Sequence, residues 1–173
     1  MIVLVESNFV IEFAQRQAEI ADAERLVALA ENREIELAIP ACALFEPYET
    51  LVRRRKQRTE TVRKLGDEIA QLGRSQHFAD LPTTFEAISR VLSGAAEVEH
   101  RALDEALVRL ENCATVIPLS GTMLKTSFDA RRRFSLQPQD SIIFTSVEHS
   151  SWSAAERKVC SPTKTRPTFR ARK

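Results

Sequence analysis

Two short apolar runs set one helix length apart constrain this chain more than anything else in it. Ile2-Val3-Leu4-Val5 is closed by Glu6-Ser7-Asn8, and Glu36-Leu37-Ala38-Ile39 is closed by Pro40. Between them Phe13, Ile20, Ala23, Val27 and Ala30 recur at helical spacing, which predicts one helix from Phe9 to about Ala30 that Asn32-Arg33 ends. Two strands joined by a helix of this length form a βαβ unit, so they are expected to be parallel and neighbouring or nearly so. The first run is apolar throughout and is expected to be buried on both faces.

Residues 41–112 contain few breakers, with Gly66, Gly73 and Pro82 as turn candidates, and predict two or three long, heavily charged helices. Ala114-Thr115-Val116-Ile117-Pro118 repeats the apolar-then-proline form of a strand. Ser120 suits the cap of a helix reaching about Arg133, and Pro138 the first turn of another, with Ile142, Ile143, Phe144 and Val147 on its buried side. Lys158-Val159-Cys160 is read as the start of a last short strand.

With 173 residues the chain fits one domain, and at this length roughly 70% of the unfolded surface is buried without disulfides or structural metal. Its three cysteines, 42, 113 and 160, are scattered and odd in number, which suits a reducing compartment, the cytoplasm. No stretch approaches the ~20 apolar residues of a membrane span, and the N-terminal run lacks the basic region of a signal peptide. Only four glycines are present and none are spaced for a phosphate-cradling loop, while the three histidines are equally dispersed. Any catalysis therefore falls to carboxylates.

In an open α/β sheet, ligands bind beyond the carboxyl ends of the strands. The acids to consider there are Glu6 at the end of the first strand, Glu46 six residues past the second, and Asp140 in the first turn of a helix. Two such charges brought within ~4 Å repel by ~4 kcal/mol at an effective dielectric of 20, so a cluster of three calls for a cation. Oxygen ligands without His or Cys favour Mg²⁺ or Mn²⁺. Taken singly, each acid also reads as a cap, a dipole partner or a solvated helix residue.

Three segments carry a resemblance: Val3-Leu4-Val5-Glu6-Ser7-Asn8-Phe9-Val10-Ile11, Ile39-Pro40-Ala41-Cys42-Ala43-Leu44-Phe45-Glu46, and Leu136-Gln137-Pro138-Gln139-Asp140-Ser141-Ile142-Ile143. Together, and in this order, they resemble the PIN-domain nucleases, which include the VapC-type toxins. The resemblance implies a three-layer α/β/α sandwich on a parallel sheet of four or five strands, with a long helical insert over about 53–112. It implies metal-dependent hydrolysis of RNA, with Glu6, Glu46 and Asp140 as catalytic metal ligands for Mg²⁺ or Mn²⁺. Ser7 or Asn8 would then hold a metal-bound water or orient Glu6. It further implies a homodimer and an antitoxin-type partner protein. Glu6 stands where the family usually has Asp, and Thr165 where its fourth acid or amide falls, in a C-terminus that is degenerate or shortened by that pattern.

The charge is uneven along the chain. Seven basic residues and no acid occupy the last 17 positions, leaving 18 bases against 24 acids in the body before them. The expected organisation is a single domain over 1–156 and a basic tail over 157–173 that either contacts a polyanion or is solvated. Arg53, Arg54, Arg55 and Lys56 follow Glu46 by two helical turns and are candidates for RNA phosphates. Arg131-Arg132-Arg133 at a helix end suits the dipole, and Glu97, Glu99 and Asp104 read as surface. The alternative to a nuclease is a catalytically impaired module that binds RNA or a partner protein.

Overall fold

The computed structural model describes residues 1–78 and 80–159, with side chains as far as His149. The chain divides into two compact units, one from Met1 to Leu119 and one beginning at Ser120.

In the first unit, β1 (Ile2–Leu4), β2 (Glu36–Pro40) and β3 (Ala114–Ile117) form a parallel sheet in chain order, with Leu4 opposite Ala38 and Pro40 opposite Ile117. The Val5 N–H donates to the Ala38 carbonyl and extends the first ladder by one bond. The βαβ expectation for β1 and β2 holds. It is β2, not β1, that is buried on both faces: Leu37 through Pro40 are all buried, whereas Ile2 is 52% exposed. The cause is position, since β2 is the central strand and β1 an edge.

The single helix expected from Phe9 is two helices, α1 (Ser7–Gln15) and α2 (Ile20–Glu31). Arg16 takes a left-handed conformation with φ 49°, and the Gln17 N–H turns back to the Glu12 carbonyl, which ends α1. Apolar spacing continues across the break because both helices face one core. That core joins Val10 and Phe13 of α1, Val27 of α2, Leu37 and Ile39 of β2, and residues of the two long helices that follow.

Those are α3 (Ala41–Leu72) and α4 (Leu81–Cys113), an antiparallel pair in which Leu51, Leu103 and Leu110 reach the core. The insert expected to begin near residue 53 is thus the continuation of a helix that starts directly after β2. Gly73 caps α3 and Pro82 lies in the first turn of α4, both as expected of breakers. Gly66 is not a turn: it lies inside α3, where a Cβ would stand 3.2 Å from the Phe85 ring, so the missing side chain admits α4 closely.

The second unit holds α5 (Gly121–Phe134) and α6 (Pro138–Val159), which pack on each other. Ser120 caps α5 by accepting from the Met123 N–H at 3.2 Å. The most deeply buried side of α6 is Ser141, Thr145 and Ser146 rather than the apolar residues expected there, which are half-buried. Their hydroxyls donate to carbonyls three or four residues earlier in the same helix, so small polar side chains are buried without losing a hydrogen bond.

The expected three-layer α/β/α sandwich with a sheet of four or five strands is overturned. Among the described residues there are three short strands, and the chain is mostly helical. Lys158 and Val159, read as the start of a further strand, belong to α6; the helix-forming run Ala154-Ala155-Glu156-Arg157 before them carries that helix through. Cys160, Thr165 and the basic tail from residue 160 lie outside the described residues. No described helix is long and apolar enough to cross a membrane.

Candidate functional site

Glu6 and Glu46 each follow a strand of the same parallel sheet. Glu6 stands between β1 and α1 with an extended backbone and an exposed side chain. The Asn8 side-chain amide donates to its Oε1 at 2.8 Å. Of the two neighbours considered, Asn8 is therefore the one that orients Glu6, while Ser7 is buried. The sequence produces this locally, because the chain turns from strand to helix within residues 5–7 and brings the Asn8 amide back over the carboxylate two residues earlier.

Glu46 lies in the second turn of α3 and is half-buried. Pro40, which closes β2, passes directly into this helix at Ala41, so the acid is carried to the carboxyl end of the strand adjacent to β1. Cys42 lies one turn earlier. Burial pushes its thiol above the ordinary range, and the Glu46 charge adds to that rise.

Asp140 occupies the first turn of α6 in the second unit and is exposed. Among the described residues, none of the three acids has an ion-pair partner. Also among them, no group of three or more His, Cys, Asp or Glu side chains is arranged to hold a metal ion. Carboxylate oxygens such as those of Glu6 and Glu46 are the kind of ligand that Mg²⁺ takes, commonly one or two together with waters and substrate phosphates.

Of the basic run on α3, Arg53, Arg55 and Lys56 are exposed and Arg54 half-buried. Arg58, one turn on, donates through both Nη atoms to Glu99 of α4. Glu99 and Asp104, read from sequence as surface, are both engaged: the Tyr48 hydroxyl donates to Asp104 Oδ1. That hydrogen bond, with burial, pushes the Tyr48 phenol up to about 12. Residues so far apart in sequence meet only through the register of α3 on α4, for which spacing within either helix gives no signal.

Beside β3 the first unit carries an apolar groove of about 380 Å³. Leu44, Phe45, Leu107, Val108 and Val116 line it, and the carboxylates of Asp104 and Glu111 flank it. Phe45 is 70% and Val108 59% exposed, an apolar surface that sequence reasoning missed. No family model, curated protein or solved structure matches this chain.

Proposed function

We propose that the chain is a metal-dependent endoribonuclease of the cytoplasm, acting at the carboxyl end of its parallel sheet. The observation that carries this reading is that Glu6 directly follows β1, with Asn8 bound to it, while Glu46 lies in the second turn of the helix that follows the adjacent parallel strand β2. Glu6 and Glu46 would hold Mg²⁺ or Mn²⁺, and Asp140 is the third ligand implied by the resemblance to PIN-domain nucleases. Held there, a divalent ion would supply Lewis acidity, favouring ionisation of a nearby water and offsetting charge on the phosphate. Asn8 donates to one oxygen of Glu6, the other has no partner among the described residues, and the exposed setting of Glu6 leaves room for a polymeric substrate. By the same resemblance the chain is the toxin of a toxin–antitoxin pair, with a homodimer and an antitoxin as partners.

The test is cleavage of a labelled RNA by wild type and by Glu6→Gln, Glu46→Gln and Asp140→Asn, in Mn²⁺ and in EDTA. Thermal melts of each variant would establish folding. Metal-dependent cleavage lost in folded Glu6→Gln and Glu46→Gln is the expected result, and Asp140→Asn then decides the third ligand. Cleavage unchanged in all three variants would falsify the reading.

A second reading is a non-catalytic module that binds RNA or a partner protein. The exposed apolar groove beside β3 favours it, since contiguous apolar surface of this kind marks interaction sites. It predicts binding that is indifferent to EDTA, with no product formed.

A further inference from the structure

We propose that the recess between α3 and α4 lined by Arg55, Arg58, Thr59 and Ser93 seats one phosphodiester of a bound RNA strand. This rests on RNA being the ligand, as in the proposed function, but not on its cleavage. The recess has a volume of about 220 Å³, an apolar floor that includes Val62 and Leu92, and no carboxylate in its lining. At ~30 Å³ per water that is room for a phosphate and the waters that bridge it.

Each polar group there has a definite state. Arg58 is held by Glu99 through Nη1 and Nη2, which fixes the guanidinium plane and leaves its Nε–H and outer hydrogens unspent. Arg55 sits one turn earlier, exposed, and among the described residues makes no ion pair. Further along α3 the positive charge is cancelled: Arg63 binds Glu60 and Asp67, and Lys64 binds Glu60. Among the described residues the unpaired cations of this helix are therefore Arg53, Arg54, Arg55 and Lys56, and Arg55 is the one that lines the recess. On α4, the exposed Ser93 supplies a hydroxyl at the recess. Arg53 and Lys56, exposed and likewise without ion pairs among the described residues, extend the charge beyond the recess. Positive charge near the recess as well as in it strengthens binding to a polyanion more than to a single free anion.

The experiment is fluorescence anisotropy of a labelled single-stranded RNA with the full chain in EDTA, repeated over a series of salt concentrations. Arg55→Gln is expected to weaken binding about fivefold to tenfold and to reduce the slope of log K against log salt by about one. Ser93→Ala is expected to weaken binding about two- to threefold, as for loss of a single hydrogen bond. Arg63→Gln, whose charge is already spent, is expected to bind as wild type. Inorganic phosphate serves as a competitor, and displacement of RNA only at high phosphate is the expected outcome. Wild-type affinity in both Arg55→Gln and Ser93→Ala overturns the proposal, as does a wild-type chain that binds phosphate but no RNA. RNA binding with this pattern but without cleavage in Mn²⁺ would leave the seat standing and overturn the nuclease.

Discussion

Arg58 and Glu99 form a two-pronged ion pair between the long helices, at 2.6 and 2.5 Å, with side chains only 27% and 15% exposed. Planar pairing of this kind is among the stronger polar interactions. Glu99→Gln is expected to cost about 1–3 kcal/mol, because it strands a guanidinium that is largely withdrawn from water. The Arg58 hydrogen bond holds the Glu99 carboxyl below its ordinary 4.5. A carboxyl depressed on folding contributes stability above its unfolded value and loses it as the pH falls through the folded one. Urea midpoints of wild type and Glu99→Gln should therefore differ at neutral pH and converge in steps taken below 4.5. A constant gap would show that the pair does not account for the difference.

Tyr48 is the only tyrosine in the chain, so its ionisation can be followed without interference. Ultraviolet titration should place its phenol near 12, held up first by the hydrogen bond to Asp104. Asp104→Asn should bring it down towards 10, the ordinary value. Because folding raises this pKa, the bond's contribution to stability is complete below the ordinary value and is lost as the pH rises through the folded one. A phenol that titrates at its ordinary value in wild type would show the bond does not form in solution.

Leu37 is fully buried in the central strand. Leu37→Ala should destabilise the fold by about 2–5 kcal/mol through lost burial and the cavity left behind. Leu65→Ala, on the exposed side of α3, should stay within about 0.5 kcal/mol of wild type. Urea denaturation of both variants checks the contrast, and equal costs would contradict the assignment of the core to the sheet end of the long helices.

Asn8 is a positioning residue for Glu6 in the proposed function. Asn8→Ala should raise the Mn²⁺ concentration for half-maximal cleavage by about 10- to 100-fold, the usual cost of losing a group that orients a ligand. Saturating metal should restore the rate, which a merely misfolded variant would not allow. An unchanged metal dependence would remove Asn8 from the site.

What could be read from the sequence was local. β2 and β3 are each an apolar run stopped by proline, and the Ser120 cap precedes a helix directly, so these needed no tertiary information. The positions of Glu6 after the first strand and of Glu46 in the helix after the second were legible for the same reason. The break between α1 and α2 was not, since it turns on a left-handed Arg16 with neither glycine nor proline to announce it. Lys158 and Val159, read as the start of a further strand, continue α6 because the helix formers before them outweigh a single β-branched residue. The Arg58–Glu99 pair and the apolar groove beside β3 arise from how one helix lies on another, and spacing within a single helix carries no record of that.

The pairing of Pro40 with Ile117 gives the α3–α4 hairpin a role in the order of events during folding. Two helices running out and back return the chain to about 4.8 Å from the strand it left. Closing an unstructured loop of that length before any contact repaid it would be slow. With the helices already docked, β3 adds to β2 almost as a neighbour in sequence would. Glu99→Gln should therefore slow refolding more than it speeds unfolding in stopped-flow measurements, making the hairpin the step on which completion of the sheet waits.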